Sequence, residues 1–185
     1  MELPPFQMQQ RGVYLATEAV PRITAEHLRG LVAVAASLPR QRARICLHRS
    51  DAAPIHEMVI ALGRETYVQP HRHRGKSESF HVIEGRCDVV LFDDVGEISD
   101  VISLGEPGSG LPFLYRIATP IFHTLVIRTP FFVIHETTNG PFIPEETDYA
   151  AWAPSEGDAA ARDYAAGLLR RVEAINAECR MQNAE

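Results

Sequence analysis

Between about residue 44 and residue 135 the apolar positions come in short runs. EMVIAL (57–62), SFHVIEG (79–85), CDVVLFDD (87–94), DVISL (100–104), FLYRI (113–117), HTLVIR (123–128) and FFVIHET (131–137) are rich in β-branched and aromatic residues. They are punctuated by GR, DDVG, GEPGSG and TP, all of them turn chemistry. Many short strands with turns at close intervals predict a mainly β fold, a sandwich or small barrel of jelly-roll type. No helix-length segment interrupts them, which argues against a parallel α/β sheet.

On both sides of this region the period changes. In TAEHLRGLVAVAASL, Leu28, Leu31, Val32 and Ala35 fall on one helical face, with Thr24 as the cap, Glu26 in the first turn and Pro39 as the stop. Residues 1–22 show no clear period and read as an arm that pairs with a sheet edge, docks on a partner, or moves freely. Residues 140–154, GPFIPEETDYAAWAP, read as an extended strap anchored by Phe142, Tyr149 and Trp152. Ser155 then opens S-E-G-D, the pattern of a capping box, before a helix with Tyr164, Leu168, Val172 and Ile175 on one stripe. The expected organisation is therefore an N-terminal arm and helix (1–43), a barrel with its strap (44–154) and a C-terminal helix (155–185).

Composition narrows the partners. The chain has 185 residues, 45% of them apolar, and a formal net charge of −6. That acidic balance disfavours nucleic acid and anionic membranes. The arginines of RGLVAVAASLPRQRARICLHR read as a solvated face near a helix end. Cys46, Cys87 and Cys179 are odd in number and widely spaced, so neither a disulfide framework nor a cysteine metal site is indicated. The opening MELPPFQMQQRG lacks the basic and apolar regions of a signal peptide, and no apolar run reaches membrane-spanning length. A cytoplasmic protein is the expectation.

The chemistry concentrates in VQPHRHRGKSESFHVIEG (68–85), which includes the chain's single lysine. On a strand, His71 and His73 point one way and Arg72 the other, so both imidazoles can reach one cation. After the RGKS loop, Glu78 opens the next strand and can swing a carboxylate to the same point. His123, preceded by the turn at Pro120, opens another strand. Three neutral imidazoles and one carboxylate suit Fe, Mn, Co, Ni or Zn in the divalent state, with positions left for water or substrate. The competing expectation is a wet strand edge, since alternating histidines flanked by Arg72 and Arg74 also occur on solvated faces.

HRHRGKSESFHVIEG resembles the first cupin motif, H-x-H-x(3,4)-E-x(6)-G, with His71, His73, Glu78 and Gly85 in place. Of the second motif His123 remains, while Ala118, Pro120 and Ile127 stand where the consensus has Pro, Gly and Asn. RQRARICLH, DVVLFDDVG, YRIATPIFHTLV, and GPF followed by WAP resemble a narrower group, the WbuC family of small bacterial cupin-fold metalloproteins. The resemblance spans roughly residues 40–155. It implies a cupin double-stranded β-helix (a jelly-roll barrel) holding a divalent metal on His71, His73, Glu78 and His123, and an association with O-antigen and surface-polysaccharide biosynthesis. It implies no particular reaction.

Around that centre, Arg116, Lys76 and Tyr115 are the candidate substrate-binding residues, Arg116 because a guanidinium at a barrel mouth can hold a carboxylate or phosphate. Glu136 and His135 are the candidate proton-shuttling bases. His81 has the parity opposite to Glu78 and is placed outside the metal shell. His48 and His56 are expected on the surface. The expected function is a metalloenzyme acting on a small polar or sugar-derived molecule, with isomerisation and dioxygenation both compatible. The alternatives are a non-catalytic sugar- or metabolite-binding module with a structural metal, and a metal-free site whose histidines bind ligand directly. The expected assembly is a homodimer.

Overall fold

The computed structural model describes residues 2–182. Twelve strands form two facing sheets. The chain runs β1 (Gln7–Gln10), β2 (Val13–Leu15), α1 (Ala25–Ala36), β3 (Arg42–Cys46), β4 (Ile55–Gly63), β5 (His71–His73), β6 (Glu78–Glu84), β7 (Arg86–Phe92), β8 (Ile98–Gly105), β9 (Leu114–Ile117), β10 (Phe122–Ile127), β11 (Phe131–Asn139), β12 (Thr147–Tyr149) and α2 (Ala161–Gln182). The seven-stranded sheet has the order β1-β2-β3-β4-β11-β6-β9, and the five-stranded sheet β12-β5-β10-β7-β8. Consecutive strands such as β5 and β6 lie in opposite sheets, while β11 returns between β4 and β6. That is the double-stranded β-helix of a jelly roll with flanking helices, the mainly β fold that the spacing of the apolar runs predicts.

The alternation along each strand decides what lies between the sheets. Ile60, Phe80, Val82, Val89, Phe132 and Ile134 pack there as the barrel core. The opposite parity of the large sheet, including Ala43, Ile45, Ala61 and Val133, packs under α1 through Leu31 and Ala35. Val90, Phe92 and Phe122 on the small sheet pack against Leu168 and Val172 of α2. At the turn from β6 to β7, Gly85 has φ +89°, and a Cβ there would stand 2.5 Å from the carbonyl oxygen of Phe131. Only glycine fits that backbone and that approach.

The helix α1 begins as its sequence predicts. The Thr24 hydroxyl accepts a hydrogen bond from the His27 N–H at 3.4 Å, and the His27 Nδ1 accepts from the Thr24 N–H at 3.1 Å. Other expectations need correction. The capping box at Ser155 does not start α2. A turn from Ser155 to Asp158 comes first, and the Asp158 carboxylate accepts from the Ala160 N–H just before the helix begins. In the strap, Trp152 packs on Phe92 and Phe122, but Phe142 and Tyr149 are 56% and 60% exposed and meet Lys76 and His71, at 5.6 and 6.0 Å, rather than the core. The arm is neither free nor docked elsewhere. β2 runs parallel to β3 and buries Tyr14, so it extends the chain's own large sheet. Among the described residues, no helix is long and apolar enough to cross a membrane.

Candidate metal centre

β10 pairs with β5 so that His123 stands directly opposite His71. His73 lies two residues along β5 on the same face, and the three imidazole rings cluster with centroids 4.6–6.0 Å apart. Glu78 comes from the other sheet. Its approach is held by the Ser77 N–H donating to the Asn139 side chain at 2.9 Å and by the Thr138 hydroxyl donating to the Ser77 carbonyl at 3.0 Å. One ligand atom from each of His71, His73, Glu78 and His123 lies within 4.8 Å of all the others.

The outer nitrogens of the rings are already engaged. Nδ1 of His71 is 2.9 Å from the Gln69 carbonyl, and Nδ1 of His123 is 2.9 Å from the Ile121 carbonyl. Nδ1 of His73 is 3.2 Å from the Thr147 hydroxyl. A carbonyl can only accept, so Nδ1 of His71 and His123 carries the proton and Nε2 presents a lone pair inward. Nε2 of His73 and of His123 lie 3.3 and 3.4 Å from the two Glu78 oxygens. Yet Glu78 Oε1 and His123 Nε2 are buried without a hydrogen-bond partner. Two orphaned polar atoms aimed at one point, with a carboxylate and three tethered imidazoles, fit a divalent transition-metal ion. Burial pushes His71 down to about 4, which keeps it in the neutral form a metal requires. For Glu78, burial acts upward, but in the metal-free site protons on Nε2 of His123 and His73 outweigh it and hold the carboxyl below its ordinary value, the place a cation would take.

The four donors stand at one end of a cavity of about 550 Å³. Glu136 lines it as well. It sits on β11 opposite Met58 and Phe80, on the inward face. Burial first, and then the Glu78 carboxylate, push its carboxyl up to about 8. The lining also includes Arg11 from the β1–β2 turn, Arg40 from the α1–β3 connection, and Arg42 and Arg44 from β3. Arg40, Arg42 and Arg44 were expected on a solvated face; Arg40 and Arg44 are indeed exposed and Arg42 is half-buried, and all three also border the cavity. The alternation of β3 sends Ala43 and Ile45 toward α1, and with them it sends Arg42 and Arg44 to the cavity side.

The other predicted residues divide. Tyr115 packs edge-on against Phe80 with centroids 5.2 Å apart, and its enclosed hydroxyl has no hydrogen-bond partner. Burial, then Glu78, raise that hydroxyl well above its ordinary value. Arg116 is exposed, outside the cavity lining, and donates to the Ser77 hydroxyl at 3.1 Å. Lys76 is likewise outside the lining. It donates to the Pro141 carbonyl at 3.0 Å and pairs with Glu146 at 3.3 Å, fastening the loop to the strap. Arg72 and Arg74 pair with Asp148. His81 is exposed and His135 lies 3.7 Å from Glu57 on the outer parity. His56, expected on the surface, is buried and stacks on His48 at 4.0 Å, because the His48 ring folds over it.

Comparison with known proteins adds the following. A family model described as a domain of unknown function (DUF6016) matches residues 23–104, a stretch that holds His71, His73 and Glu78 but ends before His123 and Glu136. Curated proteins yield no match. Among solved structures, a Shewanella oneidensis protein superposes with a TM-score of 0.48 at 12% identity, over 57% of this chain and 72% of that one. KdgF from Halomonas sp. gives 0.44 at 15%, over 58% and 86%. Oxalate decarboxylase from Bacillus subtilis gives 0.43 at 16% over 53% of this chain, which spans only 24% of that longer one.

Proposed function

We propose that this protein is a divalent-metal-dependent enzyme that moves a proton on a small polar, sugar-like molecule. The observation that carries the reading is the position of Glu136, a carboxylate in the same 550 Å³ cavity as the four converging donors. His71, His73, Glu78 and His123 would hold the ion, which as a Lewis acid would polarise a carbonyl and so acidify the C–H beside it. Glu136 would take that proton and return it at the neighbouring atom, as a carboxylate that lines the same cavity as the donors. The apolar wall of Met58, Ile60, Leu62 and Ile134 excludes water from the carbon skeleton. Isomerisation is the reaction class this arrangement serves.

The test uses protein purified without a nickel column. Metal analysis should give about one ion per chain, and His71→Ala should abolish it. The loaded protein, incubated in deuterium oxide with aldoses, ketoses and sugar acids, should wash deuterium into the carbon beside the carbonyl of one of them. Glu136→Gln should remove the exchange while keeping the metal. Exchange that survives Glu136→Gln, or that fails across the set with metal in place, sinks the proton-transfer reading. The motifs shared with the WbuC family support a place in bacterial surface-polysaccharide biosynthesis. Homodimerisation would use β9, an edge strand that opens with exposed Leu114 just after exposed Phe113; sedimentation as a monomer contradicts it.

A further inference from the structure

Beyond the four donors, the lining of the cavity is far more positive than the metal chemistry requires, with Arg42 half-buried and Arg11, Arg40 and Arg44 exposed at its rim. Arg40 and Arg42 share one carboxylate, Glu156, with Arg42 only at 3.5 Å. Arg11 spends one hydrogen bond on the Ser37 carbonyl at 3.4 Å. Arg44 has no carboxylate within ion-pair distance among the described residues. Arg42 has its pKa lowered to about 10, first by burial and then by Arg40 and Arg44. Like charges crowded at the rim of a cavity repel one another, and the side chains present leave that repulsion largely uncancelled. An incoming anion cancels it.

The sheet register gives the span. Arg44 pairs with Ile60, which pairs with Ile134, while Glu78 pairs with Thr138, which pairs with His56. Arg44 and Glu78 are thus on strands three apart in the order β3-β4-β11-β6 and four residues offset along them. At strand and residue spacings of about 4.8 and 3.4 Å, the backbones are roughly 20 Å apart along the sheet, with both side chains on its inward parity. On the order of 10 Å remains between the guanidinium and the donor cluster. Glu136 lies between them in register, midway from Ile134 to Thr138 on β11.

We infer that Arg42 and Arg44 form an anion subsite, so that the enzyme takes an elongated substrate with metal-binding oxygens at one end and a terminal carboxylate or phosphate at the other. A chain of about six atoms bridges the gap. A guanidinium fork holds either anion bidentately and fixes the register of the chain, which places its middle beside Glu136. This rests on the proposed metal-dependent reading for the head of the molecule, while the tail is recognised by the arginines alone.

Calorimetry on the metal-loaded protein with glucitol, gluconate and glucitol 6-phosphate separates the parts. At least one of the two anions should bind tenfold or more tighter than neutral glucitol, and whichever binds tighter identifies the tail. Arg44→Gln should weaken that anion about 10- to 100-fold, the worth of a charged bidentate contact, with metal content unchanged. Arg44→Lys should recover part of the loss, and it takes over the test if Arg44→Gln does not fold. Arg116→Gln should change nothing. The inference is overturned if neither anion outbinds glucitol, or if Arg42→Gln and Arg44→Gln together leave the preference within twofold. If the purified protein holds no metal, the metal-dependent reading fails by itself. Inorganic phosphate titrated onto the metal-free protein then decides the arginines: weakening in the double variant supports the subsite, and absent or unchanged binding overturns it.

Discussion

Glu78 and Asp88 are both buried carboxylates of the barrel, 5% and 3% exposed, and they are treated in opposite ways. Asp88 on β7 is saturated. It accepts from Arg128 Nε at 2.6 Å, from the Ser103 hydroxyl at 2.6 Å and from the Asn176 amide at 3.2 Å. Its partners come from β8, α2 and the end of β10, so it ties three elements together. Glu78 faces imidazoles whose other nitrogens are already committed, and one of its oxygens has no hydrogen bond. A buried charge is tolerated only when something satisfies it. Asp88 is satisfied by the fold, whereas Glu78 keeps an oxygen without a hydrogen bond, in a cluster that could hold a metal ion.

The sharpest break in that comparison is metal removal. Ligand linkage predicts that free metal at about 1,000 times its dissociation constant stabilises the wild-type chain by about 4 kcal/mol. Glu78→Gln should lose that response, with thermal melts in chelator and in metal superimposing. Next comes Asp88→Ala, which should cost about 3 kcal/mol in urea unfolding by stranding Arg128 and Asn176, while metal stoichiometry stays intact. If Asp88→Ala removed the metal, or Glu78→Gln in chelator destabilised as much as Asp88→Ala, the distinction between the two carboxylates would collapse.

Glu136 supplies a smaller test through pH. Its folded pKa is raised from about 4.5 to about 8, so in metal-free protein the native state keeps a proton that the unfolded chain releases. Stability therefore falls as pH rises from about 4.5 to about 8, and the cost is constant above that. Glu136→Gln should be indistinguishable from wild type at the acid end and more stable above pH 8. Equal melting temperatures at pH 9 would show that the carboxyl ionises freely. Smallest is Arg116→Gln, whose exposed contact to Ser77 is worth less than about 0.5 kcal/mol.

The amino-acid sequence alone determined the strand series, the capped helix at Thr24, and the parity that puts His71 and His73 on one side of β5. These are local matters: period, cap chemistry and turn residues act over a few neighbours. Arg42 and Arg44 were legible in principle, because Arg-Ala-Arg-Ile is an alternating strand with its apolar residues turned to α1. The preceding run of arginines masked that pattern. Ser155 misled because a capping sequence also suits a free turn, and Phe142 because an aromatic residue in a strap need not find a hollow to fill.

What only the tertiary structure decided is which distant residues share a space. His123 meets His71 through the β5–β10 pairing, and Glu78 arrives from the opposite sheet. Residues of β3 come to face the same cavity from the far side of the large sheet, and Lys76 and Arg116 are drawn away to other bonds. Pairing between strands far apart in the chain depends on how the whole core closes, and no local pattern of residue types encodes the distance across a barrel.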